Sequence, residues 1–244
     1  MQPIGIIGGS GLTSLKALHI TRREVVHTPY GEPSGPYSHG TFDGIEVIFL
    51  PRHGAGHVIP PHMVNYQANI WGMRELGVSQ LIGMAAVGGI SSDFKPGSIS
   101  IPDQIIDYTY SRKQTYYEDT QAGAVTHIDF TEPYCQSLRE KLLEAGNRAG
   151  LEVIDHGTYG ATQGPRLETA AEIRRMSRDG CDIVGMTGMP EAALAREAGI
   201  CYACCAVSVN WAAGLSDGPI TMDEIEQHLS DGMSEARKLL SAIK

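Results

Sequence analysis

"ETAAEIRRMSRDGCDIVGMTGMPEAALAREAGICYACCAVSVN", residues 168–210, runs helix, strand, helix, strand, and it decides the fold class. The two helical pieces, ETAAEIRRMSRDG and MPEAALAREAG, each lead into a near-continuous apolar run, CDIVGM and then ICYACCAVSV. Such unbroken apolar strands are expected where helices cover both faces of a largely parallel sheet. Working outward, PHMVNYQANIWGMREL precedes VSQLIGMAAVGG, and PYCQSLREKLLEAGNRAG precedes LEVIDHGTYGATQG, in the same rhythm. Leu138, Leu142, Ala145 and Ala149 hold helical spacing in the second of these. The first fifty residues differ: IGIIGGSG, REVVHTPYGEPSG and GTFDGIEVIFLPRHG alternate short apolar runs with turn signals and read as strands. The last segment, from Thr221, opens with Thr221 and Glu224 in capping-box spacing and reads as a terminal helix. The longest stretch without clear structure, about residues 109 to 132, reads as a functional loop.

A chain of 244 residues lies within the range of one α/β domain, so residues 1–244 are taken as a single domain. The net charge of −9 repels nucleic acid and anionic membrane surfaces, which excludes both as expected partners. A small anion remains compatible, because a local pocket of Arg and backbone N–H groups overcomes a modest global field. The five cysteines, Cys135, Cys181, Cys201, Cys204 and Cys205, sit mostly in or beside apolar runs. They suit reduced, buried thiols and a cytoplasmic location better than a disulfide framework. Cys201 and Cys204 have CxxC spacing, yet CYACCAV reads as a buried strand, without the turn or helix start that a redox motif needs. The opening residues do not read as a signal peptide, and no apolar stretch approaches the roughly 18 residues of a membrane span.

Several strand ends carry chemistry. In IIGGSG, residues 6–11, the glycines let backbone N–H groups and the Ser10 hydroxyl approach an anion, although a plain tight turn explains them as well. No Lys follows as in a Walker loop, and Ser14 stands where a dinucleotide fingerprint needs its third glycine. In PRHGAGHVIPPH, residues 51–62, Arg52 and His53 together suit a tetrahedral oxyanion. A metal site from His53, His57 and His62 is the rival reading, but the spacing fits no familiar zinc pattern. Thr187 offers a hydroxyl and an N–H to an anion, and Pro190 at a helix start places Glu191 in the first turn, where a carboxylate reads as a cap. Glu168 in TQGPRLET either starts the next helix or projects into a site.

Taken together, IGGSGL, PRHGAGH, VNYQANIW, AAVGG, TQGPRLET, DIVGMTGMPEAALAREAGICYA and VNWAAG resemble the trimeric purine nucleoside phosphorylase and methylthioadenosine phosphorylase family over essentially the whole chain. The resemblance implies a central mixed, partly barrel-like sheet flanked by helices. It also implies cleavage of a purine nucleoside by inorganic phosphate, with no metal and no organic cofactor. By the same resemblance Ser10, Arg52, His53, Thr187 and the backbone at Ala85 and Ala86 hold phosphate. Position 85 departs from the Thr of many relatives, so its side chain contributes nothing. Met186 would lie under the ribose, and Leu167, Glu168, Asn210, Trp211 and Ala212 would bind the base. VNYQANIW, GICYA and VTHIDFTEPYC are similar to the methylthioadenosine branch, which implies a homotrimer in which His127 reaches the 5′-methylthio pocket of a neighbouring subunit. Met222 and Ile225 are further candidate liners of that pocket.

The base positions depart from that branch, which carries Asp at the places of Asn210 and Ala212. An amide NH₂ donates to N7 and O6 of a 6-oxopurine, where the leaving base gathers negative charge, and would face a second donor on adenine. Glu168 can accept from N1–H of the same base. Leaving a buried polar group unpaired costs about 1–3 kcal/mol, and sites built on such bonds discriminate by about 10⁴. Asn210 is therefore the expected catalytic residue, and the expected substrate is S-methyl-5′-thioinosine. Methylthioadenosine, or inosine and guanosine, are the alternatives, and a nucleoside-binding protein without turnover is the reading from another class.

Overall fold

The computed structural model describes residues 2–8, 18–118, 125–216, 218 and 221–244. In chain order these form β1 (Ile4–Gly8), β2 (His19–Glu24), β3 (Tyr37–Phe42), β4 (Ile45–Pro51), α1 (Tyr66–Glu75), β5 (Gln80–Gly89), β6 (Ile99–Ser100) and β7 (Gln104–Asp107). There follow α2 (Gln136–Arg148), β8 (Val153–Ile154), β9 (Thr158–Ala161), α3 (Ala170–Asp179), β10 (Ile183–Gly185), α4 (Gly188–Glu197), β11 (Cys201–Trp211) and α5 (Met222–Ser241).

All these strands join one sheet, in the order β2-β3-β4-β1-β5-β10-β9-β7, with β11 branching from β5 and carrying β6 and then β8. β5 is the branch point. Gln80 to Gly83 pair in parallel with β1, Gly88 and Gly89 pair antiparallel with β10, and β11 follows β5 in parallel from Gln80 to Gly89. A strand whose partner on one edge changes midway cannot stay in a flat sheet, so the sheet bends there. The sheet is mixed, as the resemblance implied: among the described residues six of its strand pairings are parallel, in keeping with the apolar runs, and four are antiparallel. One cause is local: Asp43 (φ 47) and Gly44 (φ 85) form a two-residue turn between β3 and β4, and such turns force antiparallel pairing.

Successive strand residues point to opposite faces. Ile7, Leu50 and Leu81 pack with Ile70 and Met73 of α1 and Leu194 of α4. Their neighbours Ile6, Phe49 and Ile82 pack with Leu138 and Leu142 of α2 and with Leu239 and Leu240 of α5. Each fully buried side chain of this kind contributes about 1.5–3 kcal/mol, so the two-sided sheet is the main store of stability. A third, smaller cluster brings Ile173 and Met176 of α3 against Val184 and Ala212.

The cysteine expectation needs correction. Cys135 and Cys201 are joined in a disulfide, whereas Cys181, Cys204 and Cys205 are buried free thiols. Cys135 is the N-cap residue of α2, its N–H donates to the Tyr202 carbonyl at 2.8 Å, and this docks it beside the first residue of β11. Sixty-six residues separate the two in sequence, so spacing could not reveal the pair. Cys201 and Cys204 do not act together as a CxxC unit. Among the described residues no helix is long and apolar enough to cross a membrane.

Candidate active site

A cavity of about 640 Å³ opens where β5, β10 and β11 end, and its two extremities differ in chemistry. Arg52 follows β4 directly and is buried, with 1% of its surface exposed. Its Nε and Nη2 donate to Oε2 and Oε1 of Glu191, both at 2.7 Å, and Nη1 donates to the Met84 carbonyl at 2.8 Å. Burial opposes the guanidinium charge, but the Glu191 carboxylate outweighs it and holds the Arg52 pKa above its ordinary value. The Tyr202 hydroxyl donates to Glu191 Oε1 at 2.8 Å. Gly83 makes room for this contact, since a Cβ there would stand 2.2 Å from the Tyr202 hydroxyl. Three of the five Arg52 N–H donors are committed, which leaves two for an anion.

His53 is fixed as firmly. Its Nδ1–H donates to the Ile59 carbonyl at 2.8 Å, and the Ile59 N–H returns a bond to the His53 carbonyl at 3.0 Å. Burial first, then the Arg52 charge, lowers its pKa to about 4, with the Ile59 carbonyl opposing. The ring is thus neutral at pH 7 with Nε2 as its acceptor, suited to a hydrogen bond from the P–OH of hydrogen phosphate. His57, in the left-handed region at φ 57, lines the cavity with its ring 4.5 Å from that of His53. His62 is exposed and lies outside the cavity lining. Among the described residues no three His, Cys, Asp or Glu side chains gather as a metal site.

Ala85 and Ala86 of β5, and Met186 and Thr187 beyond β10, complete this end of the cavity. The Thr187 N–H donates to the Tyr159 hydroxyl at 3.3 Å, so only the hydroxyl is left for a ligand, which corrects the expectation that both serve. Glu191 does not cap the helix, as its place in the first turn suggests; its carboxylate turns inward to Arg52, and α4 begins at Gly188 with an extended residue, Met189, inside it. Ser10 lies outside the described residues.

At the other extremity a bulge shapes the end of β11. The register slips between Ser208 and Asn210, so that Asn210 faces Gly88 and Trp211 faces Gly89. A bulge re-aims the side chains beyond it, and here Val209, Asn210 and Ala212 line the cavity while Trp211 does not. Asn210 Nδ2 donates one hydrogen to the Trp211 carbonyl at 2.6 Å, which orients the amide and leaves its second N–H uncommitted. Glu168 precedes the capping box of Thr169 and Glu172, so it stays outside α3. Its Oε1 accepts from Thr162 Oγ1 at 2.7 Å, and the side chain lines the cavity beside Leu167 and Ala212. Ile225 and Leu229 of α5, with Val58, give the wall near the cavity rim an apolar surface. His127 is exposed and is not part of this chain's own cavity lining. Met222 starts α5, but its side chain lies outside the described residues.

Sequence reasoning missed Glu191 as a member of the site. The signal was present: a lone carboxylate inside MPEAALA, a run that is buried throughout, must find a cationic partner.

A pocket with a fixed cation at one end, an oriented amide at the other and an apolar flank, at the strand ends of a mixed α/β sheet, is that of an enzyme handling a nucleoside and an oxyanion. Residues 3–244 match the model of the phosphorylase superfamily, and the chain belongs to that family. It is 50% identical over 243 residues to a probable S-methyl-5′-thioinosine phosphorylase of Pseudomonas syringae pv. tomato, covering 100% of this chain and 98% of that protein. It is 46% identical to a 6-oxopurine nucleoside phosphorylase of Pyrococcus furiosus, over 99% of this chain and 92% of the relative. The fold matches a methylthioadenosine phosphorylase from Schistosoma mansoni in complex with adenine, with a TM-score of 0.95, 30% identity, and coverage of 100% of this chain and 91% of that one.

Proposed function

We propose that this protein cleaves S-methyl-5′-thioinosine with inorganic phosphate, giving hypoxanthine and 5-methylthioribose 1-phosphate. The observation that carries the reading is the base end of the cavity, where an oriented amide, Asn210, stands with the methyl of Ala212 and the carboxylate of Glu168. In this reading the one free N–H of Asn210 is shared between N7 and O6 as the bond to the ribose breaks, and Glu168 accepts from N1–H. Arg52 and the Thr187 hydroxyl hold phosphate, neutral His53 accepts its P–OH, and Ala85 and Ala86 supply a close-fitting floor. Ser10 joins them by family resemblance. The ribosyl group then moves toward the fixed phosphate with oxocarbenium character, so catalysis is positional and electrostatic, and no residue of the chain becomes covalently attached. Leu167 and Met186 would pack on the nucleoside, and Trp211 would act from behind Asn210, through its carbonyl.

The apolar flank of Val58, Ile225 and Leu229 supports a 5′-methylthio group over a hydroxyl, which would lose a hydrogen bond there. Met222 is placed on the same helix. In a homotrimer His127 would reach the 5′ pocket of the neighbouring subunit, consistent with its exposure here.

The test is phosphate-dependent base release from S-methyl-5′-thioinosine, methylthioadenosine and inosine side by side. Fast cleavage of the first alone is the expected result. Preference for methylthioadenosine overturns the base reading, and equal use of inosine overturns the 5′ reading in favour of a general 6-oxopurine phosphorylase. Cleavage of none with binding intact makes the chain a nucleoside-binding protein.

A further inference from the structure

Arg112 lies in the segment the sequence marked as a functional loop, and its guanidinium has no donor left over. Nη1 donates to the carbonyls of Met186 (2.8 Å) and Met189 (2.6 Å). Nη2 donates to the carbonyls of Thr162 (3.1 Å) and Gln163 (2.8 Å), and Nε donates to Gln163 Oε1 at 3.1 Å. Nη1 also reaches the Tyr66 hydroxyl at 3.3 Å, so five donors meet six acceptors, and this cation is not an anion ligand, in contrast to Arg52. Apart from Tyr66 of α1, its acceptors fall on two separate segments. Thr162 and Gln163 lead to Leu167 and Glu168 at the base end, and Met186 and Met189 flank Thr187 at the phosphate end.

The loop that presents Arg112 is itself anchored. Ser111 takes the left-handed region at φ 57, and the guanidinium lies 5.4 Å over the Tyr66 ring. Further along, Thr115 Oγ1 and the Tyr116 N–H both donate to the Glu197 carboxylate, at 2.7 and 2.8 Å, and Gln67 Nε2 donates to the Thr115 carbonyl at 2.7 Å. These bonds fix the loop to α1 and α4, so the fork is held from behind as well as in front.

We propose that Arg112 is a positioning residue that clamps the base loop to the phosphate loop, and so sets base preference without touching substrate. This rests on the function proposed above. Only a planar fork reaches both loops; a Lys presents a point charge to one. A displacement of 1 Å at a reacting centre costs about 100-fold in rate.

The experiment compares Arg112→Ala, Arg112→Lys and the milder Gln163→Ala with the wild type. For each, kcat and KM are measured on methylthioinosine and methylthioadenosine, with hydrogen–deuterium exchange followed by mass spectrometry. The expected result is that both Arg112 variants lose about 100-fold in kcat/KM on the 6-oxo substrate and less on the 6-amino one. Their preference then falls, residues 162–168 and 186–189 exchange faster together, and Gln163→Ala shows the same pattern more weakly. An unchanged preference ratio, full rescue by Lys, or loosening of one loop alone overturns the clamp. A wild type that cleaves neither substrate sinks the proposed function instead, and the exchange of the two loops still decides whether the clamp exists.

Discussion

The two ends of the cavity are built on different principles. At the phosphate end, Arg52 and Glu191 are a fully buried ion pair whose geometry is fixed by Met84, Tyr202 and the space left at Gly83. At the base end, Asn210 and Glu168 are half-buried neutral-or-anionic groups oriented by single bonds to Trp211 and Thr162. An oxyanion presents the same tetrahedron in every turnover, so its receptor can be costly to disturb. Base choice depends on a few donors and acceptors at the tip of one strand, where a point substitution changes the partner without unsettling the core. Reactivity is thus held in the interior of the molecule and specificity at its margin.

Glu191→Ala tests the rigidity of the phosphate end most directly. Removing one partner of a buried ion pair strands the other charge, and urea unfolding should register a loss of about 3–5 kcal/mol. If the variant is as stable as the wild type, the phosphate end is not the rigid end. Next in size is Asn210→Ala, expected to lower kcat by about 10²–10³ while KM for phosphate stays close to that of the wild type, measured by initial rates with each substrate varied. Equal losses in every parameter would move Asn210 from transition-state donor to scaffold. Restoring carboxylates in the double variant Asn210→Asp, Ala212→Asp should shift preference toward methylthioadenosine by about 1–3 kcal/mol, read from paired kcat/KM values, with little change in melting temperature.

The smallest effect concerns His53. The folded protein takes up this proton only near pH 4, whereas the unfolded chain takes it up near 6.5, so unfolding absorbs a proton between those values. Its contribution is complete above about pH 6.5 and is lost as the pH falls toward 4. The melting temperature should drop over this window, by roughly 2–4 °C for each kcal/mol lost, and the drop should be shallower in His53→Gln. An identical slope in the variant would mean that His53 is not the group being titrated.

Much of this was legible in the sequence because it is written in local pattern. The alternation of helices with apolar strands from residue 60 onward foretold α1 to α4 and β5, β10 and β11, and the Thr221 and Glu224 spacing marked the start of α5, where Thr221 accepts from the Glu224 N–H. Arg52, His53, Thr187, Asn210 and Ala212 were expected at one site, and the cavity brings them together. What escaped notice depends on contacts between distant segments. β6 is two residues long, too short for a period to show, and the apolar stretch LEVIDHGTYGATQG splits into two strands, β8 and β9. The antiparallel meeting of β10 with β5, the Cys135–Cys201 disulfide and the partners of Glu191 and Arg112 all join residues whose adjacency only the folded chain creates. The inward turn of Glu191 was the one such feature that composition alone announced.

The pairing of β5 with β11 also works as a ruler. Ala86 stands opposite Val207 and Gly88 opposite Asn210, so two rungs, about 7 Å at some 3.3 Å per residue, separate the anion floor from the amide that meets the base. The slip at Val209 fixes which rung the amide occupies. Inserting or deleting one residue there would move the base reader by a whole step and turn its neighbours to the opposite face. Lineages carrying this site can therefore exchange the letters at positions 210 and 212, but they are not free to change the length of the word.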